Sequence, residues 1–192
     1  MKTNILNHTY EEYMDMLKSF HGYAAPGLII GGFMVDKAVR NLPSGILYDA
    51  FCETRSCLPD AIQLLTPCTI GNGWLKIIDF NRYALSLYDK QTYAGVRVFV
   101  DAEKIKAWPE IKSWFFKLKS SKEQDQTNLI QNIREAGAGL LSMHPVRIQP
   151  EFAMKKHKGK IEVCPQCREP YPVADGDIFC LACQEKHLYY SK

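Results

Sequence analysis

The 192-residue sequence predicts an α+β fold, an antiparallel sheet packed with helices, followed by a small domain of the zinc-ribbon or treble-clef kind. Three observations predict it. Apolar residues recur at helical spacing from residue 10 to 41, runs rich in branched and aromatic residues with short polar breaks fill the middle, and two close cysteine pairs stand near the C-terminus.

Thr9 and Glu12 form a capping-box pattern ahead of Tyr13, Leu17 and Phe20, which places a helix over about residues 10 to 20. Pro26 suits the first position of a second helix, about 27 to 41, with Leu28, Val35, Ala38 and Val39 on its apolar face. Gly31 and Gly32 each weaken that helix by about 1 kcal/mol relative to Ala, so a close approach by another backbone or a ligand is expected there. A strand at 46 to 52 leads into a short helix opened by Pro59 and Asp60, because proline and an acid favour the first helical turn. Trp74 to Phe80, Ala84 to Tyr88 and Gly95 to Val100 read as an antiparallel meander. From 102 to 119 an amphipathic pattern is broken by Pro109, a helix follows over about 123 to 137, and a last strand is expected near 146 to 148. "MKKHKGK", with four lysines in residues 154 to 160, is a linker signal. The expected organisation is a body over 1–152, a basic linker over 153–161 and a four-cysteine domain over 162–192.

A net charge of +3, from 24 Lys+Arg against 21 Asp+Glu, is too small to imply a nucleic-acid partner. No apolar run approaches the roughly 20 residues of a membrane span, and the first residues do not read as a signal peptide. A cytoplasmic location is expected. A reducing compartment then leaves metal binding, thiol chemistry or burial as uses for the seven cysteines, rather than disulfides.

Cys164-x2-Cys167, twelve residues, then Cys180-x2-Cys183 is the strongest motif in the chain. A two-residue gap lets one turn aim two sulfurs at one ion, and two such turns complete a tetrahedral cage. A closed cage is structural, and it supports a segment of about 30 residues that has too few apolar side chains to fold alone. Redox-active pairs and rubredoxin-like iron are the competing uses. His157 and His187 flank the cage and read as surface residues. Lys155, Lys156, Lys158 and Lys160 lie beside it, yet residues 151 to 192 carry seven Lys+Arg against six Asp+Glu, which is thin for a phosphate-binding face.

A weaker signal lies in the body. Cys57 stands just ahead of the helix opened by Pro59, where the positive end of the helix dipole favours thiolate. Asp60 is expected to cap N–H groups of that turn, and its charge to oppose the thiolate in part unless a metal cation is present. Cys68 follows the same helix, and His21 sits beside Phe20 before a Gly-Pro turn. Buried core cysteines and a hydrogen-bonded core histidine are the bland alternatives, and for Cys52 burial is the expectation.

"SFHGYAAPGLIIGG", "CLPDAIQLLTPCTIGNGWLKIIDF" and "GVRVFVD" resemble the FmdE family of formylmethanofuran dehydrogenase proteins, whose pattern runs Phe-His-Gly-His, Pro-Gly, Cys-x-x-Asp-Ala-Ile-Gln and Gly-Cys-Thr-x-Gly. The resemblance covers most of residues 10 to 150, and the four-cysteine finger is similar to one that many members carry. It puts the family's histidine on His21, its cysteines on Cys57 and Cys68, and its acid and glutamine on Asp60 and Gln63. It implies an α+β core paired as a homodimer, with these residues gathered at a cleft able to hold a second metal through His21, Cys57 and Cys68. Two positions depart from the pattern: Tyr23 replaces the second histidine, and Ala25 replaces a cysteine found before Pro-Gly. Both changes remove donors. The resemblance leaves three readings open. One is a metal-binding accessory protein of a molybdenum or tungsten oxidoreductase system, its finger a docking module. Another is a small zinc-dependent enzyme in which Asp60 or Tyr23 moves a proton. The third is a zinc-finger protein that binds nucleic acid.

Overall fold

The structure, a computed structural model, describes residues 4–120, 122–154, 159–173 and 177–184. Its chain contacts divide it into two compact units, Met1–Ala153 and Met154–Lys192. His157, His187, Lys155, Lys156 and Lys158, expected at the surface and in the linker, lie outside the described residues.

In the larger unit a small ladder, β1 (Asn4–Ile5) with β2 (His8–Thr9), leads directly into α1 (Tyr10–His21). The Thr9 hydroxyl accepts from the Glu12 N–H at 3.2 Å, and the Glu12 carboxylate accepts from the Thr9 N–H at 2.7 Å, so the capping box forms as its spacing predicts. Gly22, at φ 90°, ends the helix in the left-handed region that a side chain resists.

Helix α2 (Pro26–Arg40) is buried on nearly every side over its first ten residues. Gly31 and Gly32 are explained by side chains rather than by a backbone or ligand: a Cβ on Gly31 would meet the Ala61 Cβ at 2.7 Å, and one on Gly32 would clash with the Tyr13 ring. The two glycines let α1 and α3 (Leu58–Leu65) close on α2, and the cost in helix propensity is offset by packing.

The sheet places β3 (Tyr48–Cys52) between β4 (Leu75–Ile77) and β5 (Ala84–Asp89), with β6 (Ala94–Val100) and β7 (Leu141–Arg147) beyond, in the order β4-β3-β5-β6-β7. The expected meander is therefore corrected at its first step. β4 does not pair with β5 but lies parallel to β3, Ala50 opposite Leu75 and Cys52 opposite Ile77, while the other pairs are antiparallel. Helix α3, which joins β3 to β4, is the crossover that a parallel pair requires. β7 begins at Leu141, ahead of the stretch near 146 to 148 where a strand is expected, because pairing with β6 extends it.

Alternation sorts the strands into two faces. Ala50, Cys52, Leu85, Leu87, Val96 and Val98 join Leu28, Ile29, Phe33, Leu58 and Ile62 in one buried core. Each large aliphatic side chain buried there contributes about 1.5–3 kcal/mol. On the opposite face Phe51 stacks on Tyr88 at 5.5 Å, and Glu53 takes both Arg97 nitrogens at 2.6 and 2.8 Å and the Arg82 Nε at 2.8 Å. Pro109 breaks the next stretch as expected, giving α4 (Ala102–Ile105) and α5 (Pro109–Phe115). α6 (Gln126–Ala136) presents Leu129 and Ile133 to the core, and α7 (Pro150–Ala153) ends the unit.

The smaller unit is a two-stranded ladder, β8 (Ile161–Val163) with β9 (Pro170–Pro172), and the short helix α8 (Leu181–Gln184). Among the described residues no helix is long and apolar enough to cross a membrane.

Candidate metal centre and cysteine cleft

The β8–β9 turn carries the first cysteine pair and the start of α8 the second. The sulfurs of Cys164, Cys167, Cys180 and Cys183 all lie within 4.8 Å of one another. Zinc–thiolate bonds of about 2.3 Å in a tetrahedron put neighbouring sulfurs about 3.8 Å apart. Cys167 Sγ and Cys180 Sγ are 3.7 Å apart, so the donor set fits that ion. The Cys164 thiol is held down to about 6, first by the Cys167 N–H and then by those of Cys180 and Gln166. At Cys164, backbone N–H groups from both cysteine pairs thus favour the thiolate a metal needs. Among the described residues this is the only group of three or more His, Cys, Asp or Glu donors so gathered.

The body distributes its site residues differently. His21 ends α1, and its Nδ1 lies 2.7 Å from the Asp60 Oδ2 in the first turn of α3. The partner of the imidazole is therefore the acid rather than Cys57. Asp60 does not cap its own helix, as its position suggests, because its carboxylate turns to His21. Tyr23, 62% exposed, leans on the His21 ring with centroids 5.3 Å apart.

Cys57 is the N-cap of α3 and sits at φ 53°, ψ −51°. The Leu58 N–H donates to the Ser56 carbonyl across it, closing a γ-turn of the rare positive-φ kind. Burial raises the Cys57 thiol above its ordinary range, and the Asp60 carboxylate beside it raises it further. The expected thiolate-favouring effect of the helix dipole is thus overturned by desolvation and a like charge. Gly27 gives the thiol its room: a Cβ there would stand 2.8 Å from the Tyr83 Oη and 3.2 Å from the Cys57 Sγ.

Cys68 lies beyond the other end of α3, buried, with its Sγ donating to the Tyr48 carbonyl at 3.5 Å. Burial pushes its thiol up to about 11. The structure therefore does not assemble His21, Cys57 and Cys68 into one ligand set, because the two-turn helix α3 keeps the sulfurs apart. Gln63 closes a loop instead, its Oε1 accepting from the Ile70 N–H at 3.2 Å. Cys52 is a core residue as expected, pushed up to about 12 by burial.

Sequence reasoning misses the cleft into which Cys57 opens. It encloses about 700 Å³ and is bordered by Gly27, Cys57, Tyr83, Trp114, Lys117 and Gln124, among others. Three non-glycine residues on its wall, Cys57, Asn81 and Lys117, sit at φ 53°, 55° and 53°. Such backbone costs about 1–3 kcal/mol per residue and clusters at functional sites.

Residues 20–148 match the family profile described as "FmdE, Molybdenum formylmethanofuran dehydrogenase operon". The chain belongs to the FmdE family. Residues 155–190 match a second profile, the FmdE treble clef zinc finger, and with the convergent thiolates this gives the chain one structural zinc. The crystal structure of a tungsten formylmethanofuran dehydrogenase FmdE-like protein from Syntrophus aciditrophicus is similar at 57% identity and a TM-score of 0.90, covering 99% of this chain and 100% of that one. A curated relative from Archaeoglobus fulgidus, described as a probable S-adenosyl-L-methionine-binding protein, is 29% identical over 189 residues, 86% of this FmdE-family chain. The chain spans about half, 50%, of that relative's length.

Proposed function

We propose that this FmdE-family chain is a cytoplasmic, homodimeric accessory protein of a molybdenum or tungsten oxidoreductase system of the formylmethanofuran dehydrogenase type. In this reading the body over 1–152 and the finger over 162–192, joined by the basic linker 153–161, have separate roles. The finger docks a protein partner, its zinc held by Cys164, Cys167, Cys180 and Cys183. The observation that carries the reading is the near full-length likeness to the FmdE-like protein of Syntrophus aciditrophicus, which extends over body and finger alike. Nucleic acid is not the partner in this reading, given the small charge excess of the tail. Affinity capture from native extract tests it. Components of a molybdenum or tungsten oxidoreductase, or proteins that assemble its cofactor, are expected in the captured fraction with the wild type and lost with Cys164→Ser. Capture of neither class overturns the reading. Light scattering that gives one chain mass, rather than two, removes the dimer.

A second reading is favoured by the 2.7 Å His21–Asp60 contact beside the Cys57 turn. In it the His21–Asp60 pair and the Cys57 turn make a small zinc-dependent active site, with His21 and Asp60 outside the lining of the larger cleft. A zinc ion bound by His21 and Cys57 would supply Lewis acidity for a water or carbonyl. Asp60 would fix the His21 ring and hold its Nδ1 proton, and the exposed Tyr23 hydroxyl would exchange a proton with solvent. Elemental analysis separates the readings. Two zinc ions per chain, falling to one in His21→Ala/Cys57→Ser, support the active site, whereas one zinc in both proteins removes it.

A further inference from the structure

We propose that the cleft at Cys57 binds a small organic anion with a flat apolar body, which Lys117 selects by charge. The volume, about 700 Å³, is that of a small-molecule site. Its border carries Lys117 and Lys119, and no aspartate or glutamate lines it among the described residues. Lys119 is partly neutralised by Glu110 at 3.4 Å, which leaves Lys117 as the cleft lysine with no acidic partner among the described residues. Lys117 is also fixed in an uncommon conformation: at φ 53° it follows α5, with its N–H donating to the Trp114 carbonyl at 3.1 Å. The turn that carries the lysine is therefore built onto the helix that supplies the Trp114 and Phe115 walls.

The neutral polar groups of the wall are turned to the protein. Gln124 is 7% exposed, lines the same cleft and donates through Nε2 to Glu110 at 2.9 Å, while its Oε1 is buried with no partner among the described residues. The Tyr83 hydroxyl is likewise engaged, donating to the Gly27 carbonyl at 2.7 Å, which leaves Lys117 as the group that marks a ligand's charge. Trp114 and Phe115 give the ligand an apolar surface, and the Cys57 sulfur lies against Gly27 at the wall.

The anion preference is read with two probes of one shape and different charge, iodoacetate and iodoacetamide. Their alkylation rates at Cys57 are followed by peptide mapping of the full-length protein carrying one zinc per chain. Cys52 and Cys68 are buried and the finger thiolates are metal-bound, so Cys57 is the thiol exposed to a cleft. Taking the ratio of the two rates cancels any change in the thiol itself. The expected iodoacetate-to-iodoacetamide ratio at Cys57 exceeds that of free cysteine by about three-fold or more, and it falls as salt is raised. Lys117→Asn/Lys119→Gln, with Asn chosen because it tolerates the left-handed backbone, returns the ratio to the free value, and Lys117→Arg preserves it. A wild-type ratio no higher than that of free cysteine overturns the proposal. So does a ratio unchanged in the double variant, or a Cys57 that neither reagent reaches. Failure here leaves the accessory role standing, because that role is decided by partner capture.

Discussion

The tail and the body each carry cysteines, and they use them in opposite ways. In the tail, four sulfurs within 4.8 Å of one another stand where the side chains supply almost no core; Ile161, Val163 and Leu181 are all exposed. In the body, Cys52 and Cys68 are spent on packing, and Cys57 lines a cleft. Where burial suffices to hold a fold, thiols become ordinary apolar residues or reactive ones; where it does not, they hold the chain together through an ion.

Removing zinc tests this contrast most severely. Chelation is expected to abolish hydrogen-exchange protection over β8, β9 and α8, a loss of about 10 kcal/mol of metal-linked folding energy, while the body's melting transition stays in place. A body transition that moves with the metal would erase the distinction. Next in size, Glu53→Ala leaves Arg97 without its bidentate partner on the outer sheet face and is expected to destabilise the body by about 3 kcal/mol in a urea titration, with the finger unaffected.

The same carboxylate gives a pH test. Burial opposes its ionisation, but the Arg97 hydrogen bonds and the charges of Arg97 and Arg82 prevail and hold Glu53 below its usual range. Its contribution is therefore complete above the unfolded carboxylate value of about 4.3 and is lost as pH falls through the lower folded value. Thermal melts of the wild type are expected to decline more steeply than those of Glu53→Gln as pH falls below about 4.3, and parallel declines would remove Glu53 from the acid response.

Gly27→Ala addresses the cleft side of the contrast. The added methyl would press on the Tyr83 hydroxyl and the Cys57 sulfur, and we expect a cost of about 2 kcal/mol together with slower alkylation of Cys57. The smallest effect belongs to the His21–Asp60 contact, which is partly exposed. Asp60→Asn should lower body stability by about 1 kcal/mol or less and lower the Cys57 thiol toward its ordinary value, read from the pH dependence of alkylation.

How far the sequence discloses all this depends on range along the chain. Thr9 and Glu12 are close neighbours in sequence, and their capping box forms as spacing requires. The two Cys-x2-Cys turns likewise carry their geometry in local sequence. β4 reads as a meander strand because so short a run offers no local mark of parallel or antiparallel pairing; its place beside β3 is set by the α3 crossover. Asp60 reads as a cap for the same reason, since its actual partner lies 39 residues away on α1. The Lys117 turn lacks any glycine or asparagine to announce its positive φ. Trp114 and Cys57 meet at one cleft only once α5 has packed against the body, a relation that no window of sequence contains.

The position of β3 has a kinetic consequence. β5 and β6 are joined by a turn in which Asp89 accepts from the Gln91 and Thr92 N–H groups at 2.7 Å, so this hairpin closes the shortest loop in the sheet. Of the five sheet strands β3 leaves the ribosome first, but it finds its antiparallel neighbour only when residue 89 has been made, and β6 waits for residues 141 to 147 to cover its other edge. During synthesis, then, strands that end up inside the sheet stand for an interval with one edge open, and α2, buried on nearly every side in the finished body, lacks part of its cover until the late strands arrive.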